Sequence, residues 1–389
     1  MTKKIDLVLL AGGKGTRIKK YLKGYPKPMI NINGNRFLFL LLKYFSKFIT
    51  GNIYILAGYR GQTIKRLYHK KLFNFCKVHV LIEKKILGTG GAVYSLKNKI
   101  KNNFILINAD TFFPINLKKF VDESNKKKII HLALSDNKNY KSNNKLVNLN
   151  YNKKKELFLS LNKTKFMNGG IYFIKRKIFS YMSGKYFSLE ELLMKNLIKK
   201  NLISAKYFDE PFIDIGTPKK LKEANRFIKK FYQKPAVIFD RDNTLTYDRG
   251  YTHKLNDLIF KPKIISYLKN ISRKKKFIFI VTNQAGIGKG IFKLDDFYNF
   301  QKKMKNLLIK KNIFIDDVKF CPFHPKAKLK KYRKNSNFRK PGNNMLIELF
   351  KEWKFNKKKS LVIGDNEKDK QMANKSKIKF LFAKDITLN

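Results

Sequence analysis

"VIFDRDNTLT", residues 237–246, decides how this 389-residue chain is divided. An apolar run leads into two aspartates one residue apart and then a threonine, and it does so past the middle of the chain. The run reads as a buried strand, 236–240, and a carboxylate at a strand's C-terminal end lies where open α/β sheets place their ligands. Further strands are predicted at 277–282, 317–320 and 360–364, with amphipathic stretches between them. The same alternation occurs earlier, with strands at 5–11, 52–57, 77–82 and 103–108 and helices at 36–49, 60–71 and 90–100. Strand-helix alternation implies a mostly parallel sheet with helices on both faces. After about residue 125 the pattern breaks, and "SDNKNYKSNNKLVNLNYNKKKELFL", 135–159, reads as antiparallel strands joined by polar turns. A helix over 218–231 closes this first part, with Pro218 suited to its first turn. The expectation is an α/β protein of two domains, 1–231 and 236–389, joined by a short linker at 232–235. No internal repeat or long low-complexity segment interrupts either.

Hydrophobic residues make up 43% of the chain, enough for a core in each part. No apolar run reaches the length of a membrane span, and "MTKKIDLVLLAGG" reads as a first strand and glycine turn rather than a signal peptide. Two cysteines, Cys76 and Cys321, make no disulfide framework, which fits a cytoplasmic location. The formal net charge is +60, from 87 basic and 27 acidic residues. That charge attracts polyanions, but the lysines are scattered among Asn, Ile and Phe, as an AT-rich coding sequence produces. Runs such as Lys126–Lys128, Lys153–Lys155 and Arg273–Lys276 read as solvated loops or helix ends. No helix-turn-helix, zinc-finger or RNA-binding signature accompanies the charge. Neither a specific nucleic acid nor a membrane is expected as a partner; anionic sugar phosphates and nucleotides are.

"LVLLAGGKGTRIKKYLKGYPKPM", residues 7–29, puts a glycine turn directly after the first strand. Such a turn lets backbone N–H groups approach phosphate oxygens, and Arg17 and Lys27 add fixed positive charge. It is neither a Walker loop nor the dinucleotide fingerprint. The string G-G-x-G-T-R followed by P-K-P-M resembles the nucleoside-diphosphate-sugar pyrophosphorylases, the sugar-1-phosphate nucleotidyltransferases. "LGTGGAV" at 87–93, "NADTFF" at 108–113, "NGGIY" at 168–172, "FSLEELL" at 187–193 and "DIGTP" at 214–218 follow in the family's order. The pattern is nearest the branch that guanylates D-glycero-D-manno-heptose 1-phosphate. The resemblance covers residues 4–230 and implies a Rossmann-like domain with a mixed sheet. It also implies that Arg17 holds the triphosphate and Lys27 bridges the α-phosphate and the sugar phosphate. Asp110 and Asp214 would hold Mg²⁺. Leu10, Ala11, Gly12, Gly13, Gly15, Thr16 and Gly88 would surround the nucleotide, and Asn168, Gly169 and Glu190 the sugar. Both reactants are polyanions, so catalysis reduces to charge neutralisation and in-line positioning.

In the second part, D-x-D-x-T at 240–244 resembles the first motif of the haloacid dehalogenase superfamily. "VTN" at 281–283, Lys340 in "RKPG" and "GDNEKD" at 364–369 follow in that superfamily's order. The implied fold is a parallel Rossmannoid sheet without a large cap. Asp240 would attack phosphorus, and Asp242 would protonate the leaving oxygen and then activate water. Thr282 and Lys340 would hold phosphoryl oxygens. Asp240, Asp242 and Asp365 would bind Mg²⁺, with Asp369 orienting the metal's surroundings. "DRDNTLTYDRGY", "TNQAGIGKG" and "CPFHP…RKPG" are similar to heptose-1,7-bisphosphate and histidinol-phosphate phosphatases. That likeness makes Arg339 and Asn283 substrate-binding residues, with Gln284 and Gly250–Tyr251 as further candidates. Asn243 stands where the family has glycine; asparagine tolerates a left-handed backbone.

The joined resemblances imply two consecutive steps: removal of the 7-phosphate from heptose 1,7-bisphosphate, then nucleotidyl transfer, GTP favoured, to heptose 1-phosphate. Another sugar (mannose, glucose or an amino sugar) with a different small phosphate monoester stays open, as does a basic nucleic-acid-binding protein with relic sites. Relatives of the phosphatase type carry a zinc loop, C-x-H then C-x-C. Aligned on Arg339–Lys340, this chain keeps Cys321 but has Phe323, Ser336 and Phe338 at the other positions, with His324 one residue off. A structural zinc needs about four N/S ligands, so no zinc is expected. Apolar packing of Phe323 and Phe338, against each other or the core, would replace it in part, leaving a more mobile loop.

Overall fold

The computed structural model describes residues 4–83, 85–136, 149–160, 166–183, 186–192 and 196–387. The predicted polar turns within 137–148, and Leu193 of "FSLEELL", lie outside the described residues. Two compact units divide at Phe227/Ile228, inside the helix Pro218–Tyr232.

The first unit is built on β1 (Asp6–Ala11), β2 (Ile53–Ala57), β3 (Leu72–Phe73), β4 (Cys76–Ile82), β5 (Phe104–Asn108), β6 (Ile130–Asp136), β7 (Phe166–Ile174) and β8 (Ile203–Tyr207). They form one sheet in the order β8-β6-β7-β5-β1-β2-β4-β3. β1, β2, β4 and β5 run parallel, as the strand-helix alternation requires. β7 runs antiparallel to both β5 and β6, so the sheet is mixed. The β1 side chains Leu7, Val8, Leu9 and Ala11 are all fully buried, as in a strand covered on both faces. The helix expected over 90–100 spans Gly88–Tyr94 and gives way to turns that end at Ile100. Within the irregular stretch, Leu149–Tyr151 and Leu157–Leu159 do pair antiparallel.

The second unit is a five-stranded sheet of β9 (Ala236–Phe239), β10 (Phe277–Asn283), β11 (Asp317–Cys321), β12 (Leu361–Gly364) and β13 (Lys379–Phe382). The order is β11-β10-β9-β12-β13, and every pair is parallel. β13 was not expected: "KFLF" is four residues long and follows a lysine-rich turn, too short for a periodicity to register. β9 lies in the centre, so its end opens between β10 and β12. Phe239, Ile278, Ile280 and Ile363 from these strands meet Leu268, Met304 and Leu308 in one core.

The lysine-run expectation needs one correction. Lys128 is buried, not solvated: its ammonium donates to Glu156 Oε1 at 2.8 Å, Asn201 O at 2.7 Å and Asn201 Oδ1 at 2.8 Å. Three acceptors compensate a charge removed from water, and together they tie three separate segments of the first unit.

His131 on β6 is buried, 1% exposed, with Nδ1 at 2.8 Å from Ser204 Oγ and its ring stacked on Phe120. Burial, helped by the Lys155 charge, pushes its pKa down to about 4. A depressed folded-state pKa leaves stability intact above the unfolded value near 6.5 and removes it as pH falls towards 4. The first unit should therefore lose about 3 kcal/mol between these limits. Urea unfolding of the wild type and of His131→Gln across that range checks this; the variant should lose the pH slope. An equal slope in both would assign the acid lability elsewhere.

Candidate active sites

In the first unit the glycine turn follows β1, and Gly15 takes φ +67°. A Cβ there would sit 3.0 Å from the Lys27 Cβ, so the turn is packed on the segment carrying Lys27. Lys27 is buried and its Nζ lies 2.6 Å from Asp110 Oδ2. Asp110 and Asp214 are more than a hundred residues apart in sequence, and a two-stranded ladder joins them. Thr111–Phe112 pairs antiparallel with Ile213–Asp214, with Asp214 opposite Thr111, and Ile215 N donates to Asp110 O at 3.1 Å. Asp214 Oδ1 accepts from Gly216 N at 2.7 Å and Oδ2 from Lys220 Nζ at 2.5 Å. Arg17 Nη2 and Lys27 Nζ both lie within 4 Å of where a Gly216 side chain would begin. Two aspartates and three basic side chains thus converge on one wall.

Of these, Arg17, Lys27 and Asp110 line a cavity of about 420 Å³ together with Gly216, Leu10, Gly12, Gly13, Gly15, Thr16 and Gly88, while Asp214 and Lys220 stand behind that lining. Glu190 reaches it because its Oε2 accepts from Thr89 Oγ1 at 2.8 Å and Ser188 Oγ at 3.0 Å. Gly88, at φ +71°, has no room for a side chain, since a Cβ would meet Phe187 O at 2.5 Å. Asp214 and three further expected residues stand apart from the cavity lining. Ala11 points into the core. Asn168 turns its side chain to Gly170 N (2.8 Å) and the Tyr172 hydroxyl (2.6 Å), and Gly169 faces Phe113. Lys220 was missed by sequence reasoning; on a lysine-rich helix it carries no motif.

In the second unit, Asp240 closes β9, with its backbone N–H donating to Ile363 O of β12 at 2.9 Å. Lys340 Nζ lies 2.6 Å from Asp240 Oδ1 and 2.6 Å from Asp369 Oδ1, and all three side chains are buried. Asn283 sets Lys340 in place: its Oδ1 accepts from Lys340 N at 3.0 Å and its Nδ2 donates to Lys340 O at 3.2 Å. Asn283, expected at the substrate, is thus spent on backbone. Thr282 is fully buried and its hydroxyl donates to Asp242 Oδ2 at 3.3 Å. Asn243 takes φ +55° and accepts from Asp248 N at 3.1 Å, the left-handed turn that replaces the glycine. Arg339 lines a cavity of about 600 Å³ with Lys326, Lys368 and Lys375, and Lys340 belongs to the same lining.

Asp240, Asp365 and Asp369 each bring one oxygen to within 4.8 Å of the others. Burial pushes the Asp240 carboxyl up, and the Lys340 ammonium, pulling it down, is opposed by the Asp369 and Asp242 carboxylates. Burial works against the charge on Lys340, but the Asp240 and Asp369 carboxylates outweigh it and raise the ammonium's pKa. Partial burial and then Asp369 also raise Asp365. One ammonium among Asp240, Asp365 and Asp369 leaves a negative excess, and Asp369 Oδ2 is buried without a partner. A hard divalent cation fits that oxygen set.

Residues 7–230 match the family described as Nucleotidyl transferase, and residues 235–389 the family described as Polynucleotide kinase 3 phosphatase. The chain belongs to the nucleotidyl transferase family, joined to a haloacid-dehalogenase-type phosphatase. The D-glycero-alpha-D-manno-heptose 1-phosphate guanylyltransferase of Campylobacter jejuni is 36% identical over 220 residues, 55% of this chain and 96% of that protein. The D-glycero-beta-D-manno-heptose-1,7-bisphosphate 7-phosphatase of Rhodopseudomonas palustris is 34% identical over 141 residues, 36% of this chain and 78% of that protein. The crystal structure of HddC from Yersinia pseudotuberculosis is 28% identical and covers 57% of this chain and 99% of its own, with a TM-score of 0.48. Among the described residues no helix of this bifunctional chain is long and apolar enough to cross a membrane.

With its pKa raised, Asp240 would make the binding of a cation at this site depend on pH. The unfolded chain ionises this aspartate near pH 4 and the folded one later, so the ion-free unit loses stability as pH rises through that window. A cation that binds the ionised carboxylates reverses the loss. Saturating Mg²⁺ should therefore raise the melting temperature of the second unit more at about pH 8 than at about pH 5. Equal shifts at both would show that Asp240 is not a ligand.

Proposed function

We propose that the chain carries out two consecutive steps of heptose activation: removal of the 7-phosphate from heptose 1,7-bisphosphate, then nucleotidyl transfer from GTP to heptose 1-phosphate. One observation carries the reading. The relatives matched by the two halves are named for reactions in which the product of one has the chemistry of the other's substrate. The anomer is the discriminating detail, since the guanylyltransferase relative is named for the α sugar and the phosphatase relative for the β. The steps are consecutive in one chain only if its phosphatase passes on the α sugar.

In the transfer reaction, an oxygen of the sugar phosphate attacks the α-phosphorus and pyrophosphate leaves. Arg17 draws charge from the leaving pyrophosphate. Lys27, released from Asp110, bridges the two reacting phosphates. Glu190 accepts from sugar hydroxyls. Asp110 and Asp214 are the residues that would hold Mg²⁺, which when bound would supply positive charge against the phosphates. In the phosphatase, Asp240 attacks phosphorus and the bond to the sugar oxygen breaks as that oxygen takes a proton from Asp242. Water then attacks the aspartyl-phosphate, giving its proton to Asp242, and phosphate leaves. Lys340 and Thr282 hold the phosphoryl oxygens, and Arg339 with its neighbouring lysines takes the substrate's second phosphate. Asp240, the Asp242 carbonyl and Asp365 would hold Mg²⁺, which when bound would offset the repulsion between carboxylates and phosphate.

The test is a substrate panel: the four triphosphates with several sugar 1-phosphates, and both anomers of the bisphosphate, with pyrophosphate and phosphate release followed separately. GTP with the α-heptose should be turned over fastest. Asp240→Asn should abolish phosphate release and leave pyrophosphate release near normal. Lys27→Ala should do the reverse, by a factor on the order of 10²–10³. Loss of both activities in either folded variant, or preference for another sugar, would overturn the reading.

No zinc belongs to this proposal. Burial pushes the Cys321 thiol up, away from the thiolate a metal needs. His324 Nδ1 accepts from Lys326 N at 3.0 Å. Phe323 and Phe338 are half-buried, and Phe323 packs on Tyr332 under the Lys334 ammonium. The loop is tied by Arg333, whose Nε donates to Ala327 O at 2.7 Å. Elemental analysis of protein purified without metal resin should give less than stoichiometric zinc, and EDTA should leave the melting of Mg²⁺-free protein unchanged. One zinc per chain, lost with a large fall in melting temperature, would refute it.

A further inference from the structure

Asp242 stands just past β9 with both carboxylate oxygens held. Arg241 donates to Oδ1 from Nε at 2.7 Å, with Nη2 2.6 Å from the same oxygen. Gln284 donates to Oδ2 from Nε2 at 2.8 Å. The two holders are joined, since Arg241 Nη2 donates to Gln284 Oε1 at 3.2 Å. Arg241, Gln284 and Asp242 itself therefore close a ring of hydrogen bonds, and the Thr282 hydroxyl, 3.3 Å from Oδ2, is a further donor to the carboxylate. The ring lies behind the site rather than in its mouth: Arg241 is 1% exposed and Gln284 3%.

Each holder is itself fixed. The guanidinium of Arg241 packs over the Phe300 ring at 4.9 Å and donates to Thr252 O at 3.0 Å. Gln284 is anchored through its backbone N–H to Cys321 O at 2.8 Å, and its Nε2 also donates to Thr282 Oγ1 at 2.8 Å. Because β10 pairs with β9 in parallel register, Thr282 and Gln284 arrive beside Asp242 from the neighbouring strand end.

A buried ion pair is weak evidence for stability, because apolar side chains of similar volume serve a fold as well or better. This pair does something apolar packing cannot. An aspartate at a strand end otherwise samples several staggered rotamers, whereas proton transfer needs donor and acceptor placed to a fraction of an ångström. We infer that Arg241 and Gln284 are positioning residues that hold the Asp242 carboxyl in line with the sugar oxygen that leaves phosphorus. The inference rests on the reading of Asp242 as the proton donor. In that step the Asp240–phosphorus bond forms, the phosphorus–sugar oxygen bond breaks, and the sugar oxygen takes the Asp242 proton. The carboxylate left behind is the species the ring stabilises, with a donor on each oxygen. Gln284 thereby acts on the leaving group without touching it.

The experiment uses the full chain with saturating Mg²⁺ and a series of phosphate monoesters. It compares kcat/KM, which ends at leaving-group departure, for alkyl esters and for aryl esters. Alkoxides leave poorly without a proton; nitrophenolates hardly need one. Gln284→Met keeps the volume and removes the amide. It should lower kcat/KM on alkyl phosphates by about tenfold or more and on p-nitrophenyl phosphate by less than about threefold, a steeper dependence on leaving-group pKa. Arg241→Lys, which keeps the charge but not the fork, should fall between wild type and Gln284→Met on alkyl esters only. Asp242→Asn tests the underlying reading: it should retain a burst of p-nitrophenol and lose the alkyl reaction. If Asp242→Asn discriminates in this way and Gln284→Met lowers both ester classes equally, or neither, the positioning role is wrong. If Asp242→Asn shows no discrimination, the proton-donor reading is wrong and the inference falls with it.

Discussion

Carboxylates gathered at the ends of parallel strands repel one another, and each half of this chain meets that constraint with a buried or half-buried ammonium. Lys340 stands between Asp240 and Asp369, and Lys27 and Lys220 stand against Asp110 and Asp214. Such pairs contribute little net stability once desolvation is subtracted. Their consequence is functional: the carboxylates are kept within reach of one another, and the same ammoniums are at hand for phosphate. In the second unit the compensation is incomplete: Asp242 has Arg241, but the Lys340 ammonium is shared by Asp240 and Asp369 while Asp365 stands nearby. A site with this excess of oxygen and negative charge is suited to a hard cation and then to a phosphate.

Sheet polarity explains why the sites lie where they do. In both units the parallel strands end on one side, and the turns that follow them carry the chemistry. Gly15 lets the turn after β1 pack on the Lys27 segment, and Asn243 lets the turn after β9 bend back towards Asp248. The +60 charge is a different matter. Most of it is spread over the surface, where it is solvated. In a chain with 27 acidic residues, those that cluster at strand ends stand out as the places where charge is organised.

The loop between β11 and Lys340 is held by an arginine and by ring packing. Cys321 remains as a buried thiol at the end of β11, and an arginine on backbone carbonyls and an aromatic contact hold the turn around it. The delivery of Lys340 does not depend on that loop alone, because the Asn283 side chain grips the Lys340 backbone from β10.

What the sequence determined by itself was local or periodic. The apolar runs that became β1, β2, β5, β9, β10 and β12, the glycine turn, the aspartates at strand ends and the tolerance of Asn243 for a left-handed turn all follow from neighbouring residues, because strand burial and turn chemistry are short-range effects. Tertiary structure decided the rest. Asp214 joins Asp110 through a ladder between segments a hundred residues apart. Asn168 turns to its own strand, and Asn283 to the Lys340 backbone, although both looked like substrate contacts. Lys128 looked solvated but found three acceptors. Arg241 and Gln284 close a ring with Asp242 because β10 settles beside β9. A polar side chain's partner is whichever donor or acceptor the packed chain brings within about 3 Å, and no local pattern of residues encodes that choice.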